Sequence, residues 1–234
     1  MLVIVEGEKT DDRLMNHLFQ VYGMNAKYQI VSYGTNIYVL YNEMFHDGRP
    51  EDMDILQVLK AREKDERKKQ IFEQDYTDIM LVFDLDPQDG QFSDDKISAM
   101  MDYFIESTDM GKLYINYPMI DAFYHMSSIP DSGYNDRVVA MDELRNKTYK
   151  SRVNAENRNR DYKKFAVTRD ECSAVIRQNI EKGKRILVES DNALADARLI
   201  LKKQLEELSQ RERMYVLCTC VYFVAEYNSA LLEH

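Results

Sequence analysis

Short apolar runs alternate with segments of helical period through the first half of the chain. Leu2 to Val5 is an uninterrupted apolar run rich in β-branched side chains, the pattern of a strand buried on both faces. Glu6-Gly7 ends it. Thr10-Asp11-Asp12 then reads as a helix start with acids at the positive end of the dipole, Leu14, Met15, Leu18 and Phe19 give it an apolar face, and Gly23 closes it. Tyr28 to Tyr33 predicts a second strand and Ile37 to Phe45 a second helix, followed by a polar loop at Asp47-Gly48-Arg49-Pro50. The charged segment Asp54 to Glu73 predicts a long solvated helix; within it, Lys60 to Lys69 mixes signs in the manner of i,i+4 pairing. Ile79 to Phe83 is the strongest buried-strand pattern, and Asp84-Leu85-Asp86-Pro87 follows at once. Ser93 caps a helix carrying Ile97, Met100, Met101, Phe104 and Ile105, Gly111 terminates it, and Leu113 to Asn116 forms a fourth strand.

This alternation predicts an α/β domain over residues 1–129, with a mainly parallel sheet of about four strands and flanking helices. Ligands of such sheets gather outside the carboxyl ends of the strands, where Glu6 and Asp84 fall. Beyond the turn-rich joint at Ile129 to Asp136, strand patterns fade. Val138 to Val153, Arg169 to Lys182, Asp191 to Gln210 and Glu212 to Leu231 predict helices, a mostly helical C-terminal lobe over 130–234.

Composition changes this picture little, but charge distribution changes it substantially. The 234 residues carry a net charge of −10, with 44% hydrophobic and 31% charged residues, a soluble globular balance. Residues 1–144 hold 13 Lys and Arg against 28 Asp and Glu, whereas residues 145–234 hold 18 against 13. Within 145–169 lie Arg145, Lys147, Lys150, Arg152, Arg158, Arg160, Lys163, Lys164 and Arg169, with only Glu156 and Asp161 opposing them. That stretch is either a solvated helix face or a phosphate-contact surface for DNA or RNA. Tyr149 and Tyr162 within it either pack or stack on bases. Three cysteines, Cys172, Cys218 and Cys220, suit neither a zinc site nor a disulfide framework and read as small buried hydrophobes. The longest apolar stretch, Val216 to Ala225, is about half a membrane-spanning helix, and Met1 to Val5 does not resemble a signal peptide, so the expected location is cytoplasmic with no membrane partner. The terminal Leu232-Glu233-His234 resembles a purification-tag remnant and is left out of the functional reading.

Four carboxylates, Glu6, Asp84, Asp86 and Asp89, are brought together by the inferred sheet. Clustered carboxylates repel unless a cation neutralises them, and hard oxygen ligands suit Mg²⁺ or Mn²⁺. Asp84 and Asp86 can face one ion only if the loop turns sharply, which Pro87 favours. An Asx-rich turn with no ion is the plainer reading.

Val5-Glu6-Gly7-Glu8-Lys9-Thr10-Asp11, taken with Val82-Phe83-Asp84-Leu85-Asp86, resembles the two signature motifs of the TOPRIM fold. The Glu-Gly-x-x-Thr-Asp form looks most like the nuclease domains of the overcoming-lysogenisation-defect (OLD) family and stand-alone phage-defence relatives. Asn116-Tyr117-Pro118-Met119-Ile120-Asp121 is similar to a Tyr-Pro-x-x-Glu/Asp segment of that group. The resemblance covers residues 1–125. It implies metal-dependent phosphodiester hydrolysis, with Glu6 as metal ligand or general acid/base, Asp84 and Asp86 as main ligands, Asp11 and Asp121 as further ligands, and Lys9 stabilising charge on the phosphate. Asp121 departs from the commoner Glu. Asp11 reads equally as a first-turn helix acid, Lys9 as a solvated loop lysine, Tyr117 and Asp121 as a Pro-initiated helix start, and His125, one turn on, as a structural histidine.

No P-loop is present, so any ATPase activity accompanying an OLD-type nuclease would come from a separate subunit. Two other readings stand beside the nuclease. A nucleotide-sugar glycosyltransferase would use Asp84-Leu85-Asp86 but leaves Glu6-Gly7 without a role, and a noncatalytic TOPRIM-like scaffold would bind nucleic acid or a partner. A haloacid-dehalogenase phosphatase is set aside because Gln88 stands where Thr or Val is wanted.

Overall fold

The structure, a computed structural model, describes residues 1–24, 28–46, 49–50, 54–108, 110–188 and 194–232. In chain order the first half contains β1 (Leu2–Val5), α1 (Thr10–Val21), β2 (Gln29–Ser32), α2 (Ile37–Met44), β3 (Phe45–His46), β4 (Arg49–Pro50), α3 (Ile55–Arg62), α4 (Glu66–Lys69), β5 (Ile79–Asp84), α5 (Asp94–Tyr103), β6 (Ile105–Glu106) and β7 (Gly111–Asn116). The second half adds β8 (Val138–Ala140), α6 (Met141–Arg145), α7 (Tyr149–Glu156), α8 (Arg169–Leu187), α9 (Ala197–Arg211), β9 (Arg213–Tyr215) and α10 (Tyr222–Tyr227).

The main sheet runs β2-β1-β5-β7-β6, with the first four strands parallel and β6 antiparallel at the edge. β1 and β5 are buried at every position, which is why their apolar runs are continuous rather than alternating. From β1 the chain steps outward to β2 and then crosses to β5 on the other side. The strand order therefore reverses between β1 and β5, and the crevice of a doubly wound sheet opens at their carboxyl ends.

Several elements differ from the sequence expectation. The predicted helix 54–73 is broken: Glu63 accepts the amides of Lys64 and Asp65, and Asp65 caps α4, so carboxylates compete with the helical ladder and divide the segment into α3, α4 and a 3₁₀ turn at Gln70–Glu73. Phe104 and Ile105 leave α5, and Ile105–Glu106 pairs with β7. Gly111 opens β7 rather than closing a helix. In the second half, β8 precedes α6, and Lys147 in the left-handed region (φ 57°) separates α6 from α7. Glu212 (φ 49°) ends α9, after which only the second part of the segment predicted as helix is helical, from Tyr222 in α10; its first part is extended, with β9 pairing β8 and Leu217 bridging Tyr117 just beyond β7. The loop residues Asp47 and Gly48 and the helix start at Asp191 lie outside the described residues, and α9 begins at Ala197, capped by Asp196.

One hydrophobic core runs through both halves, joining Leu2, Val82 and Ile115 to Tyr134, Ile176 and Leu217. Among the described residues no helix is long and apolar enough to cross a membrane.

Gly111 shows how tightly the sheet is covered. It has φ +115°, and a Cβ there would lie 2.7 Å from Leu81 Cδ1. Gly111→Ala should therefore combine backbone strain with overpacking and lower stability by about 2–4 kcal/mol, read as a shift in the urea midpoint at unchanged slope.

Candidate metal centre

Glu6 leaves the end of β1 and Asp84 ends β5, so parallel pairing of these strands delivers both carboxylates to one spot. The Asp84 amide donates to Glu6 Oε2 at 3.2 Å, tying the two loops together. Asp86 is brought alongside by a sharp turn. Its φ of 41° is left-handed, a conformation Asp tolerates better than most residues, and its amide donates to the Pro118 carbonyl at 3.1 Å. Leu85 between them is fully buried and anchors the turn. One carboxylate oxygen from each of Glu6, Asp84 and Asp86 lies within 4.8 Å of the others.

Two more acids face this triad. Asp11, in the first turn of α1, is buried; a Cβ on Gly7 would sit 2.7 Å from Asp11 Oδ2, so the glycine after Glu6 is what lets that carboxylate approach the loop. Asp121 lies on a buried 3₁₀ turn, Ile120–Tyr124, whose Ile120 amide donates to Asp84 Oδ1 at 2.8 Å. The Tyr162 hydroxyl donates to Asp121 Oδ1 at 2.8 Å, and the Lys150 ammonium stands 3.6 Å from Asp121 Oδ2.

The electrostatics are those of an under-neutralised acidic site. Burial, with Asp86 and Asp11 adding repulsion, pushes the Glu6 carboxyl up to about 8. Burial likewise raises Asp11 to about 6 and holds Asp84 and Asp86 above the usual carboxylate range. Burial opposes the charge on Lys150, but Asp121, Asp84 and Asp86 outweigh it and keep its pKa above the ordinary lysine value. Among the described residues, Asp11 Oδ1 is buried with no hydrogen-bond partner and Asp121 Oδ2 has only the Lys150 ammonium beside it. Buried oxygens left without donors, in an all-carboxylate set, fit a hard divalent cation.

Other sequence candidates are placed elsewhere or used differently. Asp89 accepts from Asn36 at 2.8 Å and from the Gln91 amide, so it organises its own loop and is not one of the triad. Lys9 is exposed at the start of α1, and Lys150 is the lysine that faces the acids. His125 is fully buried between Tyr149 and Glu156, and burial lowers its pKa to about 4, as for a structural histidine.

The basic stretch is not one continuous cationic face. Arg145 pairs with Asp142 and Glu212, Arg152 with Glu143 and Glu156, Arg158 with Glu171, and Lys164 with Asp161. Arg169 donates to the Leu231 carbonyl. Lys147, Arg160 and Lys163 have no carboxylate within 4.0 Å among the described residues. Lys147 and Lys150 line a cavity of about 330 Å³ together with Asp86, Gln88, Met119 and Tyr149, so this cavity opens on the edge of the acidic triad.

Sequence reasoning found the three central carboxylates but not the orienting role of Tyr162, nor which of nine cations would face them. Lys150 and Tyr162 carry no motif; they reach the site through the path of the chain around α7. Comparison with protein-family models, with curated proteins and with solved structures returns no match.

Proposed function

We propose that this chain is a TOPRIM-like, Mg²⁺- or Mn²⁺-dependent nuclease hydrolysing phosphodiester bonds. The observation that carries this reading is the convergence of Glu6, Asp84 and Asp86, from strands distant in sequence, at the crevice where the strand order reverses. The motif likeness of Glu6-Gly7 and Asp84-Leu85-Asp86 to the OLD family supports it independently of geometry, and the place of Glu6 within the triad weighs against a glycosyltransferase that would give it no role.

In this reading Glu6, Asp84 and Asp86 hold the ion, with Asp11 and Asp121 as supporting carboxylates. When bound, a divalent ion supplies Lewis-acid neutralisation of the phosphate and eases ionisation of the attacking water. Glu6 Oε2 is fixed by the Asp84 amide, which leaves Oε1 to complete the ligand set or move a proton. Lys150 remains protonated and is positioned to stabilise negative charge developing on the phosphate, with Tyr162 and Lys150 together fixing Asp121. Lys147 and Lys150 along the adjoining cavity receive the backbone phosphates. An ATPase subunit acting in phage defence is the partner this reading proposes.

Incubating the protein with labelled DNA and RNA oligonucleotides in Mg²⁺, Mn²⁺ or EDTA tests the reading. Cleavage in either metal that EDTA abolishes is expected. Metal binding by calorimetry without cleavage of any oligonucleotide, alone or with a partner ATPase, would leave the noncatalytic scaffold as the better account.

A further inference from the structure

A second cavity, of about 180 Å³, is lined by residues distinct from those of the Lys147–Lys150 cavity, among them Phe123 and Tyr124 of the turn that carries Asp121. Its floor is aromatic: Phe123, Tyr124 and Phe165 are almost wholly buried, and Tyr162 stacks on Tyr124 with ring centroids 4.1 Å apart and an interplanar angle of 1°. Its rim carries Arg13 and the exposed Lys163, which has no carboxylate partner among the described residues. Arg13 and His17 line the pocket, and the Arg13 Nε is buried with no hydrogen-bond acceptor among the described residues. Tyr162 joins this pocket to the acidic cluster, because the hydroxyl that bonds Asp121 belongs to a ring that lines the pocket.

A pocket this small, below the roughly 300–1,000 Å³ of sites for drug-sized ligands, has room for one planar ring system rather than a whole nucleotide. Tyr162, the partly exposed ring of the four, gives it stacking surface, the Arg13 guanidinium suits a base carbonyl or ring nitrogen, and Lys163 at the mouth suits the phosphate that accompanies a base. A paired base could not enter, since its edge and faces are occupied within the duplex.

We propose that this aromatic pocket is a nucleobase subsite, and that the substrate strand is therefore single-stranded where it crosses the acidic cluster. The base sits against Tyr162, which Tyr124 backs, while the adjoining backbone passes Asp121 and Lys150. The proposal rests on the nuclease reading for the identity of the strand, but not for its measurement.

The test is equilibrium binding in EDTA, where no hydrolysis can occur. Fluorescence anisotropy of a short labelled single-stranded oligonucleotide should show binding that an abasic oligonucleotide of the same length competes at least about tenfold more weakly, because each stacked base adds substantially to affinity. A 2-aminopurine placed in the strand should lose fluorescence on binding. Val167, half exposed at the rim, allows the pocket to be blocked without touching the core: Val167→Trp should weaken oligonucleotide binding about tenfold or more and abolish the 2-aminopurine quench, with circular dichroism and melting unchanged. Arg13→Gln should reduce affinity less. Equal competition by the abasic strand, or tighter binding of duplex than of single strand, would overturn the base subsite while leaving metal-dependent cleavage intact. Base-dependent binding with no cleavage in any metal would sustain the subsite and remove the nuclease. Parallel DNA and RNA strands assign the sugar.

Discussion

Asp84→Asn is expected to abolish metal-dependent cleavage while raising the melting temperature of the metal-free protein. Both effects come from one buried carboxylate. Asp84 Oδ1 accepts from the Ile120 amide at 2.8 Å, an interaction an asparagine carbonyl preserves, so the 3₁₀ turn bearing Asp121 stays in place. The change removes a negative charge that burial, Glu6 and Asp86 all penalise, and its new amide hydrogens can donate to the neighbouring carboxylates. At pH above the usual carboxylate range the variant should melt higher than wild type by a few degrees, on the order of 2–4 °C for each kcal/mol recovered in a chain of this size. Turnover should fall by at least about 10²-fold, the scale of losing one strong electrostatic contact to the reacting group. Thermal melts in EDTA and cleavage in Mn²⁺ read the two quantities separately. A variant that melts lower than wild type and still cleaves would mean that Asp84 is a structural Asx turn and not a ligand.

How much of this site could be read from the amino-acid sequence depends on how local its determinants are. The strands β1, β5 and β7 are legible because strands covered on both faces need unbroken apolar runs, and the acids that follow β1 and β5 are legible because parallel pairing must deliver strand ends together. The turn at Asp86 was legible only as a condition, since Pro87 favours a bend but does not dictate a left-handed residue before it. Non-local pairing was opaque. Arg152 and Arg158 look like free cations in a basic stretch, yet Glu143 and Glu171 neutralise them through folds of the chain that no periodicity reveals. The run after Glu212 reads equally well as helix or buried strand by apolarity alone; β9 and the residues to Leu217 are extended because β8 and Tyr117 offer edges to pair with. Lys150 became the counter-charge of the site for the same reason. Its neighbours in sequence are unremarkable, and only the placement of α7 against the turn at Asp121 aims it at the acids.

The second large effect is a pH dependence that metal should reverse. The Glu6 carboxyl lies near 8 in the fold against about 4.5 when unfolded, so between these values the folded state binds more protons than the unfolded one. Stability from this group is complete below its unfolded pKa and is lost as pH rises through the folded one; Asp11, raised to about 6, acts in the same direction over a lower window. Two other groups oppose the trend. Burial lowers His125 to about 4, and it depresses Lys182, whose ammonium donates to the carbonyls of Tyr134 and Arg137, so both favour folding as pH rises. Comparing wild type with Glu6→Gln cancels them, since neither group touches position 6 and glutamine Oε1 can still accept the Asp84 amide. In EDTA the variant's melting advantage should grow by about 6–12 °C between about pH 5.5 and 8.5, a shift of roughly 3 kcal/mol. Mn²⁺ should erase that gain in wild type, because the ion requires the deprotonated carboxylates that destabilise the empty fold, and titrating it in near pH 6.5 should release about one proton, measured from the buffer dependence of the binding heat. A melting difference that stays flat across this range would mean that Glu6 is already ionised and solvated, and that the acids are held apart by water rather than gathered for a cation.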